Sequence, residues 1–283
     1  MLVFLTGGTG FVGSHLLSKL SEYGHKVRVL TRRETMRSEI SQRGGEPIIG
    51  DSMEPEVWED KVAGCEAIIN LIGIIRETAS SNFEEMHNLA TARLINIAKK
   101  NGVSKFLHMS ALGTREGASS RYFASKFKAE EVLKESGLNY IIFRPSIIFG
   151  PRDGFINMLA DMIRKAPVVP VVGDGEYKMQ PVSIHNVAEC FVKGLEKEDV
   201  LSQTFEIGGP KVLTYNSVLD EIMAALGVHK SKIHLPEALM RPVASVMELV
   251  LVNPLITREQ MTMLLEDNVC DNRRVAEAFD LNL

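Results

Sequence analysis

Short apolar runs alternate with helical patterns along the first half of the chain. The runs are rich in β-branched residues and lack polar alternation, which is typical of strands buried on both faces of a parallel sheet. The predicted strands are 2–6, 26–30, 47–49, 67–72, 105–109, 140–143 and 204–207. Strands separated by helical stretches predict a sheet with crossover helices.

Helix signals separate these strands. Apolar side chains recur every three or four residues between Phe83 and Ile97, which predicts an amphipathic helix. Gly102 follows where a helix C-cap is expected. Further along, Thr257 and Gln260 have the spacing of a capping box and predict the start of the last helix.

The pattern changes after residue 143. Prolines at 145, 151, 167, 170 and 181 break the chain into short pieces, and helical patterns dominate beyond Val212. We therefore predict an α/β protein, with a Rossmann-type doubly wound parallel sheet over 1–150 and a smaller, mostly helical lobe over 151–283. The strand near 203–207 is expected to rejoin the sheet. The apolar stretch 238–252 indicates a helix buried in the lobe, or else a partner surface or a site for a quinone-like tail.

Composition narrows the functional classes. The 283 residues are 45% hydrophobic and 24% charged, as in globular proteins. A net charge of −4 argues against nucleic acid as a partner. The three cysteines and seven histidines show no metal-ligand spacing, so no metal is expected. No targeting segment is evident and no apolar run approaches the ~20 residues of a transmembrane helix, so we expect a cytoplasmic protein.

The strongest motif follows the first predicted strand. Gly7, Gly10 and Gly13 form a G-x-x-G-x-x-G turn that opens an apolar-periodic helix. Such glycines permit a tight turn, bring backbone N–H groups close to a pyrophosphate and let the helix pack on the strand. The anion would then lie at the positive end of the helix. The position of the motif predicts a dinucleotide site.

The end of the second predicted strand bears on which dinucleotide binds. A carboxylate about 20 residues past the glycine turn binds the ribose of NAD, whereas arginine accepts the 2′-phosphate of NADP. This chain has Arg32 and Arg33 there, so NADP(H) is favoured over NAD(H). The neighbouring Glu34 could still serve a ribose hydroxyl.

These motifs, with Tyr122-x-x-x-Lys126, resemble the short-chain dehydrogenase/reductase superfamily in its extended or atypical branch. Within it, the chain is most similar to the group related to the nucleotide-binding accessory subunit of respiratory complex I and to nucleoside-diphosphate-sugar epimerases. The segments that carry this second similarity are Met109–Gly113, Gln180–Val182 and Leu255–Gln260.

The resemblance implies a set of cofactor-binding positions. They are Gly7, Thr9, Gly10, Phe11, Val12, Gly13, Arg32, Arg33, Asp51, Ser52, Leu71, Ile72, Gly73, Asn88, Ser110, Tyr122, Lys126 and Pro145. Asp51 would hold the adenine amino group, Asn88 would be the structural asparagine, and Pro145 would belong to the segment over the nicotinamide.

Tyr122 and Lys126 are the candidate proton-transfer pair. Residues four apart share one helical face, and a neighbouring ammonium lowers the pKa of a phenol from near 10. Tyr122 would then exchange a proton with a substrate oxygen while hydride moves to or from the nicotinamide. Ser110 is the candidate hydroxyl for that oxygen, although Ala111 aligns better with the family position, and Ser119 and Ser120 are candidate substitutes.

The sequence leaves three functions open. The first is an NADP(H)-dependent oxidoreductase with a Tyr/Lys proton relay that acts on a small-molecule or quinone-like substrate. Four residues, Arg144, Arg152, Tyr177 and Lys178, are candidates to recognise an anionic or diphosphate substrate by charge or hydroxyl. The second is a non-catalytic NADP(H)-binding subunit or sensor with a protein partner. The third is a nucleoside-diphosphate-sugar epimerase or dehydratase. A monomer or a homodimer fits each of them.

Overall fold

The computed structural model describes residues 1–238, 240, 242 and 257–283, and its centre is a seven-stranded sheet. Its strands are β1 (Leu2–Thr6), β2 (Lys26–Thr31), β3 (Gly45–Ile49), β4 (Ala67–Asn70), β5 (Lys105–Met109), β6 (Asn139–Pro145) and, after four short strands outside the sheet, β11 (Gln203–Ile207). The order is β11-β6-β5-β4-β1-β2-β3, with every pair parallel. The predicted α/β fold class is thereby confirmed.

Strand bounds follow the apolar runs except where side chains intervene. β1 and β5 have the predicted ends, and β2, β3, β6 and β11 extend the predicted runs by one to three residues. β4 is shorter than predicted because Asn70 turns its own side chain back on the chain, and its Oδ1 accepts from the backbone N–H of Ile72 at 3.1 Å. This bond ends the strand and begins the turn that leads to Gly73.

Helices cover both faces of the sheet. They are α1 (Phe11–Glu22), α2 (Arg37–Gln42), α3 (Ala90–Lys100), α4 (Arg121–Lys134), α5 (Phe155–Lys165), α6 (Ile184–Glu196), α7 (Tyr215–Leu226), α8 (Arg258–Leu264) and α9 (Arg273–Phe279), with one-turn helices at Glu34–Met36, Pro55–Val57 and Glu59–Val62. α1, α6 and α9 share one apolar core with the sheet, and α3 and α4 share the other. The five inner strands, β1, β2, β4, β5 and β6, contribute to both cores, which explains their largely unbroken apolar sequences.

The helix predicted between Phe83 and Ile97 begins differently from the expectation. A π-helical turn, Glu84–Leu89, precedes α3. The wider turn changes the angular position of the residues within it, and π-turns are frequent at functional sites. The predicted C-cap Gly102 has φ +65°, the left-handed conformation that ends a helix without steric cost.

Residues 151–283 contain more strand than predicted. Short strands form three two-stranded pairs: β10 (Val182–Ser183) with β7 (Ile148–Phe149), β12 (Leu213–Thr214) with β9 (Lys178–Met179), and β13 (Lys232–Leu235) with β8 (Val169–Val172). The lobe has its own apolar core, to which α5 and α7 contribute. The capping box at Thr257 and Gln260 is confirmed, although its helix α8 is followed by α9 and is not the last.

Most of the apolar stretch 238–252 lies outside the described residues. Within the described part of the chain, no helix is long and apolar enough to cross a membrane.

A buried ion pair joins α4 to β6. The carboxylate of Glu130, whose side chain is 0% exposed, accepts two hydrogen bonds from Arg144 at 2.8 and 2.6 Å. Such a bidentate pair satisfies both groups, and loss of one partner leaves a buried charge without compensation. Arg144 is therefore engaged in the sheet, which corrects the expectation that it presents a cation to substrate.

We expect Glu130→Ala to lower the free energy of unfolding by about 3–5 kcal/mol, because the guanidinium of Arg144 loses both of its close hydrogen bonds and keeps only the 3.7 Å contact with Glu206. Glu131→Ala is the matched control on the same helix. The side chain of Glu131 is 43% exposed and pairs with Lys134, so its loss should cost less than about 1 kcal/mol. Urea denaturation measures both values, and equal destabilisation by the two variants would contradict the assignment.

Candidate active site

The glycine turn between β1 and α1 has room only for glycine at two of its positions. A Cβ on Gly7, which has φ +71°, would lie 2.8 Å from the carbonyl oxygen of Leu71. A Cβ on Gly13 would lie 2.2 Å from the carbonyl oxygen of Gly7. The first contact brings the turn against the end of β4, and the second packs α1 on the turn.

Gly10 has a different role in the same turn. It is exposed and precedes α1 in an extended conformation, no side chain of the described residues caps the helix, and its first turn contains no acidic residue. The first backbone N–H groups of α1 are thus left for an external acceptor. A diphosphate fits such a positive, uncapped helix end, so the turn suits a dinucleotide.

Asn70 joins the strands that border this turn. Its amide nitrogen lies 3.0 Å from Thr91 Oγ1 and 3.3 Å from His108 Nδ1, and its Oδ1 accepts from the Thr6 hydroxyl at 2.9 Å and from the Ile72 N–H. Asn70 is 1% exposed. Its side chain therefore holds the ends of β1, β4 and β5 and the helix α3 in one register.

Lys126 reaches the same edge from α4. Its ammonium donates to the carbonyl of Met109 at 3.0 Å, and a Cβ on Gly73 would lie 3.0 Å from its Nζ. Glycine at position 73 thus leaves space for the ammonium. Lys126 is 2% exposed, and this burial lowers its pKa to about 8.

Tyr122 lies one turn before Lys126 in an aromatic cluster. Its ring is 5.9 Å from that of Phe83, 5.4 Å from that of His87 and 5.4 Å from that of Phe123. Burial raises the pKa of Tyr122 to about 12. This shift is opposite to the lowering that was expected from the Lys126 ammonium, because the cost of burying the phenolate outweighs that attraction.

His87 connects the two halves of the site. Its Nε2 accepts from the backbone N–H of Ile74 at 3.1 Å, which leaves Nδ1 to donate to Ser125 Oγ at 2.7 Å. Ser125 in turn donates to the carbonyl of Tyr122 at 2.7 Å. The chain of bonds links the segment after β4 to the first turn of α4. Its sequence signal was a histidine on the apolar face of the predicted helix.

Two buried histidines remain neutral beside Lys126. Burial, together with the charge on Lys126, lowers the pKa of His87 to about 2. The same causes hold the pKa of His108 well below its usual value. His108 Nε2 is buried without a hydrogen-bond partner among the described residues. A neutral histidine at each position avoids repulsion with the ammonium.

The candidate hydroxyls have different environments. Ser110 is 3% exposed, follows β5 and donates to Thr114 Oγ1 at 3.2 Å, so Thr114 is a hydroxyl of this region that sequence reasoning missed. Ser120 accepts from the backbone N–H of Phe123 and donates to Glu259 at 2.6 Å. It is the N-cap of α4, and its hydroxyl is thus occupied by structural bonds.

The polar residues after β2 and β3 lie at the same edge of the sheet. Arg32 Nη1 is 3.6 Å from Asp51 Oδ2, and Arg32 is exposed. Asp51 also accepts from the backbone N–H of Met53 at 2.9 Å, and Ser52 is buried beside it. Arg33 is exposed as well. Two cations and one carboxylate thus lie where the adenosine end of a dinucleotide is expected.

Two further arginines approach α1 from other elements. Arg43 Nη1 donates to the carbonyl of Ser14 at 3.3 Å, and Arg152 Nη2 donates to the hydroxyl of Ser14 at 3.2 Å. Glu39 Oε1 lies within 3.2 Å of Arg43 and 3.7 Å of Arg152. Arg152 has φ +72°, a backbone conformation uncommon for residues other than glycine. Its guanidinium lies against the first turn of α1, and its side chain is 60% exposed.

Three other expected residues are placed elsewhere. Asn88, the expected structural asparagine, donates to Glu84 at 2.7 Å on the same π-turn. Tyr177 is 8% exposed and stacks on Tyr215 in the lobe core, and Lys178 is exposed on β9.

The remaining expected positions converge on one edge. Leu71, Ile72 and Gly73 follow β4, Pro145 ends β6, and the turn that contains Thr9, Phe11 and Val12 opens α1. β1, β4, β5 and β6 lie in spatial sequence in the sheet, so their carboxyl ends meet. Ligands of open α/β sheets bind at this edge.

The fold and the glycine turn together define a Rossmann-type dinucleotide-binding protein. Comparison with known families is more specific: residues 3–208 match the NAD dependent epimerase/dehydratase family. The chain belongs to this family, a group of extended short-chain dehydrogenases/reductases, as its motifs predicted.

Curated relatives carry different names. The chain is 30% identical over 224 residues to the mitochondrial NADH dehydrogenase [ubiquinone] 1 alpha subcomplex subunit 9 of Arabidopsis thaliana. The aligned residues cover 77% of this chain and 56% of the relative. It is 31% identical over 171 residues to a ceramide reductase of Caulobacter vibrioides, over 60% of this chain and 54% of the relative. The chain thus spans little more than half the length of these relatives.

Solved structures share the fold. The UDP-glucose 4-epimerase of Thermotoga maritima has a TM-score of 0.71 and 24% identity, with 83% of this chain and 86% of the epimerase covered.

The buried neutral His87 gives stability a defined pH dependence. An unfolded histidine takes up a proton below about pH 6.5, whereas folded His87, with a pKa of about 2, does not. Its contribution is therefore full above about pH 6.5 and is lost progressively as the pH falls toward 2. His87→Gln keeps one donor and one acceptor without the titration. Between about pH 6 and 4 the unfolding free energy of both proteins should fall as the pH is lowered. We expect the slope for His87→Gln to be smaller than that of the wild type by about 1.4 kcal/mol per pH unit.

Urea denaturation at several pH values measures this slope for the wild type and for His87→Gln. Identical slopes in the two proteins would contradict the assignment of a buried, neutral His87.

Proposed function

We propose that the protein is an NADP(H)-dependent oxidoreductase that transfers hydride between the nicotinamide and a small-molecule carbonyl or alcohol. The observation that carries the proposal is the position of Lys126. Its ammonium lies between the end of β5, at the carbonyl of Met109, and the end of β4, at Gly73. Tyr122 lies one helical turn away and is only partly buried.

The chain's own residues support carbonyl reduction. NADPH, when bound, supplies the hydride. A carbonyl oxygen that receives hydride on its carbon needs a proton, and a phenol with a pKa of about 12 is fully protonated at neutral pH. Tyr122 Oη would donate that proton, and the ammonium of Lys126 would stabilise the phenolate left behind. Ser110 would orient the same oxygen.

The proposed preference for NADP(H) rests on Arg32 and Arg33, the two arginines that follow β2. Arg32 and Arg33 are exposed and available to a phosphate on the adenosine ribose. The 3.6 Å contact of Arg32 with Asp51 is loose enough to be exchanged for a phosphate. Two arginines in place of the ribose-binding carboxylate are the arrangement that accepts a 2′-phosphate.

A second candidate is a non-catalytic NADP(H)-binding subunit with a protein partner. One relative is named as a subunit of NADH dehydrogenase. The phenol of Tyr122 has no hydrogen bond to another described side chain, and Ala111 lacks a hydroxyl. Under this proposal the coenzyme stabilises the fold and Tyr122 only packs against Phe83 and His87.

Epimerisation or dehydration of a nucleoside-diphosphate sugar is the third candidate, and the family name and the Thermotoga structure favour it. It needs cations for the sugar diphosphate. Of the two arginines considered for that purpose, Arg144 pairs with Glu130 and Arg152 lies against α1. The buried pairing of Arg144 removes one of the two cations that a sugar diphosphate would need, which favours the oxidoreductase over this candidate.

Tyr122→Phe tests the first proposal against the second. We expect turnover in a screen of aldehydes and ketones with NADPH to fall by about 10²–10⁴-fold, since the general acid is lost. The affinity for NADPH, measured by calorimetry, should be unchanged. Tyr140→Phe, on the adjacent β6, is the matched control and should retain turnover. Full in-vivo function of Tyr122→Phe with intact NADPH binding would instead support the binding subunit.

Arg32→Ala and Arg33→Ala test the coenzyme preference. Each charge-assisted hydrogen bond to a 2′-phosphate contributes about 1.5–3 kcal/mol, so each variant should bind NADPH about 10–100-fold more weakly. NADH affinity should change little. Arg37→Ala is the control, because Arg37 pairs with Glu34 one turn further on. Equal weakening for both coenzymes, or tighter binding of NADH than of NADPH by the wild type, would contradict the preference.

A further inference from the structure

A carboxylate from the far end of the chain lies at the start of α4. Glu259 Oε1 accepts from the hydroxyl of Ser120 at 2.6 Å and from the backbone N–H of Tyr122 at 3.0 Å. The two residues bound by it are the N-cap and the candidate general acid. One carboxylate oxygen, 137 residues after Tyr122 in the sequence, thus accepts hydrogen bonds from two donors at the start of α4.

Local structure fixes Glu259 in this position. It lies in the first turn of α8, whose capping box uses both bonds between Thr257 and Gln260. A reciprocal cap of this kind defines where a helix begins and how it enters the fold. The Glu259 side chain therefore leaves a helix end that is held independently of α4.

The same segment is anchored to the neighbouring loops at two more points. Glu266 pairs with Arg115 at 2.9 Å. Asn268 Nδ2 donates to the carbonyl of Leu112 at 3.2 Å, and its Oδ1 accepts from the hydroxyl of Ser146 at 2.5 Å. All of these contacts fall on the loops that follow β5 and β6; Ser110 lies in the first loop, and Pro145 ends the strand before the second. Residues 257–268 thus cross the carboxyl edge of the sheet.

Ser120 alone does not complete the cap of α4. Its Oγ accepts from the N–H of Phe123 at 3.2 Å, which satisfies one donor of the first turn. The N–H of Tyr122 has Glu259 as its acceptor. A carboxylate is also the favoured charge at the positive end of a helix. Removal of Glu259 would leave the N–H of Tyr122 and the hydroxyl of Ser120 without their acceptor.

We propose that Glu259 is a positioning residue of the active site, which holds Tyr122 at the entrance of α4 in the orientation for proton transfer. The proposal rests on the proposed role of Tyr122 as the proton donor. It makes the C-terminal segment a part of the site, although Glu259 itself touches no reacting atom. The acceptor atom, rather than the negative charge, carries the effect, because both bonds end on Oε1.

Three variants test the proposal. Glu259→Ala removes the acceptor, and Glu259→Gln retains a carbonyl oxygen at the position of Oε1. Glu266→Ala is the matched control, since it removes a carboxylate of the same segment that pairs with Arg115 on the adjoining loop. NMR-detected amide exchange of Tyr122 and thermal unfolding are measured for each variant.

The ionisation of Tyr122 is the readout that a merely structural contact would not move. It is followed between pH 8 and about 11 by ultraviolet difference titration against the same protein with Tyr122→Phe. The titratable and charged groups near Tyr122 are His87, whose ring lies 5.4 Å from the phenol ring, Arg121 and Lys126 of the same helix, and Glu259, which accepts from the Tyr122 backbone N–H. Of these, only Glu259 is changed by any of the three variants.

We expect Glu259→Ala to speed exchange of the Tyr122 amide by about tenfold or more. The phenol, released from its cluster, should titrate near its solvated value of about 10. Glu259→Gln and Glu266→Ala should keep the wild-type titration and exchange. A wild-type titration in Glu259→Ala would overturn the proposal, as would a Glu259→Gln protein that behaves like Glu259→Ala.

Neither readout requires coenzyme or substrate. Failure of the wild type to bind NADPH would overturn the proposed function without affecting the comparison of the Glu259 variants. Conversely, normal NADPH binding with an unchanged Tyr122 in Glu259→Ala would overturn only the positioning role.

Discussion

The buried amide of Asn70 is the interaction on which the site depends. An amide without partners in a protein interior costs several kcal/mol, and here both ends of the group are satisfied by residues of other elements, Thr6, Thr91 and His108. Its oxygen also accepts from Ile72 and so ends β4. Register between the strands, the turn toward Gly73 and the place available to Lys126 are consequences of one side chain.

Burial rather than ion pairing sets the electrostatics of this edge. Lys126 loses hydration and its pKa falls to about 8, while Tyr122 loses hydration and its pKa rises to about 12. Both shifts favour the neutral form, as desolvation requires. His87 and His108 remain neutral for the same reason. If Tyr122 is the proton donor, a neighbouring ammonium with little hydration of its own would be suited to stabilising the charge that develops on the phenol during reaction.

What the sequence predicted is local. Unbroken apolar runs, the glycine spacing and the Thr257 capping box each depend on residues close in the chain, and the structure has all three. The bond of Glu259 to Tyr122 and the pair of Arg144 with Glu130 join residues on different elements. In the sequence these side chains look like ordinary charged residues of helices and strands. Hydrophobic periodicity therefore could not predict which partners they contact. The predicted lowering of the Tyr122 pKa was wrong for a similar reason. The four-residue spacing shows that Lys126 is near, but it does not show that the phenol is buried.

An enzyme and a binding subunit can share nearly all of this architecture. Under either proposal the glycine turn and the arginines after β2 would serve coenzyme binding, and Asn70 would hold the strand ends beside them. Proton transfer by an enzyme would also require a fixed position for one atom, the phenol oxygen of Tyr122. A packing tyrosine needs only its ring contacts with Phe83 and His87, and these would tolerate small rotations of α4. A proton donor must hold its oxygen within hydrogen-bond reach of a substrate. Anchoring the first turn of α4 by a carboxylate from a separate helix is a constraint that orientation requires and ring packing does not.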